Sequence, residues 1–545
     1  GSSYDEAVTL VGSDLSVEVT ITDGDGDKDI GSAPVGSQIS FDDDGPLVTV
    51  TADTGVTVAL DEGNQDASSP STGVASVIST AGSVVSITKG DDPDVANTGG
   101  AAISSAVSSD ALVDVTSLFG ADGAASAGSV QYALSFTSST TGLTLTDGSS
   151  IALVDINGDG SVIVGQVSGG TFNGQAAFAL SINPDTGVVT VEQYLSLAHP
   201  DQHDGSAGGS SYDEAVTLVG SDLSVEVTIT DGDGDKDIGS APVGSQISFD
   251  DDGPLVGDVV VGDAIVLDET NAGEAFASGP ISATSTTAII DAMLLFGADD
   301  AAATDSVVYG LDLTGAAASG LQTAEGDFEI TLVKTADNQI QGQYDGATVA
   351  FTVTINPDGT LTVVQNVALQ HLQTGLNGVN HNDTLTLDGL ITATVTITDS
   401  DGDTASGGTG VGGAVTFYDD GPSVSVNITA NVAYLDESVG TDGSQQDENG
   451  NVAPDDEAGE TDPFATKNFG TMIGYATLAA ALTVSISAGA DGLHTQSVSL
   501  TDSSGAAHTG TATSLTLTAT GQTIYLFTED GLIVGRAGSN STDAA

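Results

Sequence analysis

Asp23, Asp25 and Asp27 put three carboxylates into five residues, and Asp43 and Asp44 follow close behind. The same concentration of charge returns as Asp231, Asp233 and Asp235 with Asp251 and Asp252, and again as Asp399, Asp401 and Asp403 with Asp419 and Asp420. Carboxylates this close repel one another unless a cation sits among them, and hard oxygen ligands select Ca2+ or Mg2+. Ca2+ is the better fit, because its six to eight ligands can come from several loops in loose geometry. A further set of carboxylates sits in Leu60-Asp61-Glu62, Leu267-Asp268-Glu269 and Leu435-Asp436-Glu437, which follow Pro46, Pro254 and Pro422 by 13 or 14 residues.

The third copy is edited, and the edits separate required positions from incidental ones. It aligns with the first at an offset of 376, keeps all five aspartates, and replaces Asp42 by Tyr418 and Asp29 by Ala405, so those two are set aside. The competing reading is that these residues are only solvated turns, since turns also favour Asp and Gly. An EF-hand is excluded: the twelfth position counted from Asp23 is Pro34, where a bidentate Glu is needed. Asp155-Ile-Asn-Gly-Asp-Gly160 comes closer, but its twelfth position is Gln166, and it reads as a plain hairpin turn.

The elements that must position these groups are strands. Val17, Val19 and Ile21 alternate with Glu18, Thr20 and Thr22 and stop at the acidic triplet, the pattern of a half-buried strand carrying charge to its own end. Residues 1–48 and 209–256 are identical, so the chain is internally duplicated. The Gly-Pro after each second cluster marks a crossing between modules, because Pro cannot extend a central strand. With Gly45, Gly253 and Gly421 as phase markers, the spacings are 208 and 168 residues. The division is then 1–44, the C-terminal part of a module; 45–252 and 253–420, two complete β modules; and 421–545, the N-terminal part of a further module. The chain reads as a window on a longer array.

Other landmarks keep their order. Leu118-Phe-Gly-Ala-Asp122 pairs with Leu295-Phe-Gly-Ala-Asp299, and Ile182-Asn-Pro-Asp185 with Ile355-Asn-Pro-Asp358, the latter pair lying between alternating runs as hairpin turns. Thr, Val, Ser and Gly dominate, and helix is expected only as a turn or two before each Leu-Phe-Gly, as in Asp291 to Phe296. The fold class is all-β, tandem β-sandwich modules of Ig-like or cadherin-like type in an elongated array. At each joint Asp43 and Asp44 from the linker, Asp23 to Asp27 from the preceding module and Asp61 and Glu62 from the next are expected to share ions, turning a hinge into a stiff coupling.

Composition narrows the function. Six Lys and Arg against 77 Asp and Glu give a net charge of -71, which excludes nucleic acid as a partner and argues against docking on anionic lipid. Such charge pushes a compact state apart, so counter-ions are expected to hold it. There is no Cys to staple the modules, no apolar run of membrane-spanning length, and no basic, apolar start resembling a signal peptide. Catalysis is set aside: glycosidases use one carboxylate pair in a cleft with aromatic platforms, whereas these pairs recur in every module and the chain has no Trp. His199 and His203 read as a surface loop, since the spacing of His371 and His381 differs. Lys28 and Lys236 read as solvent-exposed. Tyr4, Tyr132 and Tyr309 read as core or strand residues, with no cage or stacking platform in view.

Three features, Val-Thr-Ile-Thr-Asp-Gly-Asp-Gly-Asp27, Phe41-Asp-Asp-Asp-Gly-Pro46 and Leu60-Asp-Glu62, with their repeats, resemble the extender repeats of giant RTX-type bacterial adhesins exported by type I secretion, and the likeness covers essentially the whole chain. The arrangement of modules is also similar to that of cadherins. The resemblance implies a Ca2+-stiffened stalk, secreted or on the surface of a Gram-negative bacterium, that serves adhesion or biofilm formation through binding domains elsewhere. The family's glycine-rich nonapeptides and terminal secretion signal are not in this window. Extracellular Ca2+ modules bind at roughly 10^-4 to 10^-3 M, so a site at about a hundredfold excess would add roughly 2.7 kcal/mol to folding outside the cell and nothing inside. The implied partners are neighbouring modules of the same or an identical chain. The alternative is a self-assembling filament, matrix or surface-layer homo-polymer.

Overall fold

A computed structural model describes residues 7–62, 103–200, 212, 214–218, 223–272, 276–372, 381–432, 465–467, 478 and 480–544. In chain order the strands as far as the second Gly-Pro are β1 (Val8–Thr9), β2 (Ser16–Thr22), β3 (Lys28–Pro34), β4 (Ser40–Phe41), β5 (Leu47–Ala52), β6 (Val58–Asp61), β7 (Ser104–Ala111), β8 (Val113–Leu118) and β9 (Val130–Phe136). They continue as β10 (Thr140–Thr144), β11 (Ser150–Asp155), β12 (Val162–Ser168), β13 (Ala176–Ile182), β14 (Val188–Gln193), β15 (Ala215–Thr217), β16 (Leu223–Thr230), β17 (Lys236–Pro242) and β18 (Ile247–Asp250). The protein is all-β. Among the described residues the α-helix is Ser541–Ala544, alongside short 3-10 turns, and no helix is long and apolar enough to cross a membrane.

Alternation decides the strands. Along β16 Leu223, Val225, Val227 and Ile229 are fully buried while the residues between them are half-buried, the period-2 pattern of a sheet with one dry face. Each such aliphatic side chain contributes about 1.5–3 kcal/mol by leaving water. A six-stranded antiparallel sheet, β10-β11-β12-β13-β14-β7, supplies the facing layer. Its Ile163, Phe178, Leu180, Val189 and Val191 share one core with the β16 residues, and Phe178 meets Phe249 of β18 at 5.0 Å between ring centroids. Smaller sheets β17-β16-β9, β15-β18-β6 and β5-β8 complete the sandwich. The β9 edge is tied to hairpin tips of the large sheet by Tyr132 N–H to Pro184 O (2.9 Å) and Leu134 N–H to Gly160 O (2.8 Å).

The second unit repeats this plan. Its six-stranded sheet holds Thr348–Ile355 and Leu361–Gln365, its small sheets hold Ile391–Thr398 and Val415–Tyr418, and Phe351 meets Phe417 at 5.4 Å. The Asn-Pro-Asp turns join β13 to β14 and Thr348–Ile355 to Leu361–Gln365 as antiparallel hairpins, as expected. Asp155 to Gly160 turns between β11 and β12. Tyr132 and Tyr309 lie half-buried in strands, Lys28 and Lys236 are exposed, and Tyr4 lies outside the described residues.

The helical expectation is overturned. Ile290–Asp291 and Leu294–Leu295 are two short strands, paired with Val260–Val261 and Leu255–Val256, and the stretch before the first Leu-Phe-Gly is β8. The segment is too short to close a stable helix by itself, and neighbouring edge strands offer its backbone partners.

Candidate metal centres at the module joints

Each joint is built by strand pairing that local sequence does not reveal. β6 runs parallel to β18 with Leu60 opposite Phe249 and Asp61 opposite Asp250, so Glu62 emerges at the same end as Asp251, its N–H bonded to Asp250 O at 3.1 Å. Ile265–Asp268 pairs with Val415–Tyr418 in the same way and brings Glu269 to Asp419. The β16–β17 turn, which carries Asp231 to Asp235, faces the other way, bridging Ala124 through Asp231. The expected grouping is therefore inverted. Leu-Asp-Glu comes from the module before the joint and the acidic triplet from the module after it.

The joint around Gly253 is built largely of buried groups. Glu62 is fully buried, and its Oε1 accepts Leu197 N–H (3.0 Å) and the Gln193 amide. Burial, followed by the nearby Asp251 charge, pushes its pKa up to about 8 against the opposing pull of His199. Asp251 is 1% exposed, with His199 Nδ1 at 2.9 Å from one oxygen. His199 also reaches across the joint, its N–H donating to Asp401 Oδ2 at 3.3 Å. Burial works to lower the His199 pKa, but the Asp251 hydrogen bond and the charges of Asp251 and Glu62 outweigh it and push it up to about 9.

From the far side come Asp299, Asp399, Asp401 and Asp403. Asp299 is 3% exposed and neither of its oxygens has a hydrogen-bond partner. Its pKa stands well above the carboxylate range because of burial and then the charges of Glu62, Asp401, Asp251 and Asp399. Asp399 is fully buried; its Oδ1 accepts Gly402 N–H (3.1 Å) and Asp403 N–H (2.8 Å), while its Oδ2 has no partner. Burial, then Asp401, pushes its pKa up to about 9. Ligand atoms of His199, Asp251 and Asp401 lie within 4.8 Å of one another, as do those of Glu214, Asp251 and Asp403. His199 is the one basic side chain in this set. Buried carboxylate oxygens without donors are costly unless a cation joins them, and the oxygen-rich donor set suits a hard divalent ion.

The other joints repeat the parts. Asp43, Asp122 and Asp233 bring oxygens within 4.8 Å at the first, where Asp231 Oδ1 also caps Gly234 and Asp235. Glu269, His371 and Asp419 do so at the third, where burial and then Asp491, Asp383 and Asp420 push the Asp419 pKa up to about 7. Asp44, Asp252 and Asp420 act as pegs, accepting the N–H of Ala121 (3.0 Å), Ala298 (2.7 Å) and Ala490 (2.7 Å) from the following module. The preceding glycines sit at positive φ, and a Cβ on Gly297 would lie 2.3 Å from Asp252 Oδ2, so that peg admits only glycine there.

The remaining candidates divide. Asp23, Asp25 and Asp27 cluster but are exposed, with Asp23 capping Gly26 and Asp27. Asp235 is half-buried beside its triplet, Asp61 pairs along β6, and Asp268 accepts Thr270 N–H at 3.0 Å. Asp436 and Glu437 lie outside the described residues. The expected surface loop at His199 is wrong: its Leu197 backbone is held by buried Glu62, which draws the imidazole into the joint. His371 takes the equivalent place, Nδ1 at 3.6 Å from Asp419, while His203 lies outside the described residues. Three groups escaped the sequence reading: Asp122, Asp299 and Asp491 of Gly-Ala-Asp, the two histidines, and Glu214 with Asp383. Their signals were the recurrence of Gly-Ala-Asp at Gly489 to Asp491 and of Leu-x-His at Leu197 and Leu369.

Fold and site together define a tandem β-sandwich protein whose joints are lined by carboxylates from both neighbours. The chain belongs to the family described as Domain of unknown function (DUF5801), which matches residues 49–244 and 264–412. Among solved structures it is similar to one described as a Ca2+-stabilized adhesin that helps an Antarctic bacterium reach out and bind ice, at 13% identity over 97% of this chain and 81% of that chain, with a TM-score of 0.17. It is also similar to the Protocadherin GammaB4 extracellular domain, at 10% identity over 79% of this chain and 44% of that chain, with a TM-score of 0.15. No curated protein matches the chain.

Proposed function

We propose that the chain is a Ca2+-stiffened extender segment of a large secreted RTX-type surface adhesin of a Gram-negative bacterium, holding binding domains at a distance for adhesion or biofilm formation. One observation carries this reading: at the Gly253 joint, Glu62 and Asp251 of one module and Asp299 and Asp399 of the next each bury at least one carboxylate oxygen that has no donor. These four, with Glu214, Asp401 and Asp403, would hold the ion. Bound there, Ca2+ supplies positive charge that lets the carboxylates remain ionised in a dry joint. The chain's own parts do the positioning: parallel pairing aims Glu62, the Asp252 peg fixes the next module's Gly-Ala turn, and His199 spans the gap.

The test is thermal unfolding of the full chain with Ca2+ and after chelation. A site at about a hundredfold excess over its dissociation constant gives about 2.7 kcal/mol, which for a module of this size is a rise of about 5–10 °C. Asp299→Asn combined with Asp399→Asn should remove much of the rise. An identical melting profile in chelator would overturn the proposal.

A further inference from the structure

The third joint contains a cleft whose counterpart at the Gly253 joint is nearly closed. Between the Thr323 to Phe328 loop and the following Gly-Ala-Asp lies a cavity of about 330 Å3, lined by Phe276, Glu325, Phe328, Tyr344, Asn366 and Asp491 among others. The matching crevice at the Gly253 joint, beside Phe172 and Asp299, measures only about 50 Å3. Several sequence changes accompany the difference, among them buried Tyr194 standing where the third joint has Asn366. Ser196 Oγ donates to Ala298 O at 2.7 Å and draws the first crevice shut, whereas Ala368 stands in its place in the second. The first loop, Leu145 to Ser149, is one residue shorter and ends in Ser149 where the second presents Phe328.

The second loop is a fixed platform. Thr323 N–H donates to Phe328 O at 3.0 Å, Phe328 N–H donates to Thr323 Oγ1 at 3.2 Å, and Gln370 holds Asp327 at 2.8 Å. Gly326, at φ +84, lets the Phe328 ring lie where a Cβ would be 2.5 Å away. Phe328 stays 43% exposed, its ring centroid 5.9 Å from that of Tyr344 with planes inclined by 36°. Phe276 holds φ +55, a strained value for a bulky residue.

We propose that this cleft binds a saccharide unit. Phe328 and Tyr344, packed ring against ring, both line the cavity and offer apolar surface on which the C–H face of a pyranose can lie, and the same lining offers the Asn366 amide and the Glu325 carboxylate to its hydroxyls. Neither side chain has a hydrogen-bond partner among the described residues. Glu325 repels anions, and the Asn366 amide and Glu325 carboxylate offer a donor and acceptors that saccharide hydroxyls use and a quaternary ammonium cannot. The inference rests on the joint being assembled as proposed above.

The experiment is saturation-transfer NMR on the full chain in calcium-replete buffer, with glucose, galactose, mannose and N-acetylglucosamine as separate probes, choline chloride as the cationic probe, and Ca2+-dependent melting recorded on the same sample. At least one sugar should receive saturation. Phe328→Ala and Asn366→Ala should each weaken it about tenfold, and Ala368→Ser should weaken it by restoring the closing hydrogen bond. Phe172→Ala should leave it unchanged. Silence from every sugar, transfer to choline alone, or a sugar signal indifferent to Phe328→Ala would overturn the inference, and an intact Ca2+ response would confine that failure to the cleft. A retained sugar signal with no Ca2+ response would instead sink the extender reading.

Discussion

Glu62 and Glu269 are carboxylic acids that burial holds near a pKa of about 8, against an ordinary value of 4.5. Without metal, the folded joint therefore keeps protons that the unfolded chain releases. Stability from these groups is fully present below pH 4.5 and is lost as pH rises through about 8, because the native state binds more protons over that window. His199 acts in the same direction, its raised pKa giving stability that is present below pH 6.5 and lost through about 9. Chelated protein should consequently melt at progressively lower temperature between pH 5 and 8. Ca2+, by stabilising the ionised forms, should flatten or reverse that slope. Glu62→Gln should raise the metal-free melting temperature at pH 8 and shrink the Ca2+ response, and an unchanged pH profile in this variant would show that the carboxyl is not the source. The acidic triplets were legible in the sequence because a turn that caps itself through its first Asp is a local object. Glu62 was legible as a carboxylate near a boundary, but its burial was not, since that follows from β18, nearly two hundred residues away.

Elements repeat that lesson. The Asn-Pro-Asp hairpins and the β16 alternation could be read directly, because their partners are adjacent or their period is intrinsic to the strand. Which triplet faces which linker could not, because parallel pairing of β6 with β18 reverses the direction from which each loop arrives. The short strands near Ile290 were misread as helix for a related reason: their hydrogen-bond partners lie more than twenty residues away in sequence. One element-level feature is shared by both sandwiches and can be tested in each. A Cβ on Gly165 would lie 2.4 Å from the Phe178 ring, and one on Gly342 would lie 2.5 Å from the Phe351 ring. Both rings sit at the centre of a core where Phe178 meets Phe249 and Phe351 meets Phe417. Gly165→Ala and Gly342→Ala should each cost about 1–3 kcal/mol by forcing a packed ring aside. Denaturant midpoints should fall for the module that carries the change, and equal loss in both modules from one substitution would mean that the joint, not the core, sets their stability.

At the scale of the whole molecule the question is whether the ions act at sites or merely as an atmosphere. A net charge of -71 on 545 residues repels itself at every separation, and any salt relieves the long-range part. Screening at about 0.1 M acts over about 10 Å, whereas the joint carboxylates bring oxygens within 4.8 Å of one another in largely buried positions. Sodium chloride should therefore contract the chain without fixing the angle between modules. Ca2+ at the same ionic strength should do both, because carboxylates from two modules must converge on it. Small-angle scattering should give a longer, narrower distribution of distances in Ca2+ than in matched sodium chloride. Glu62→Gln with Asp299→Asn should collapse that difference while leaving the sodium response in place. Superimposable curves in the two salts would mean that charge screening alone orders the array, and that the buried aspartates at Gly253 hold the modules by packing and protonation without metal.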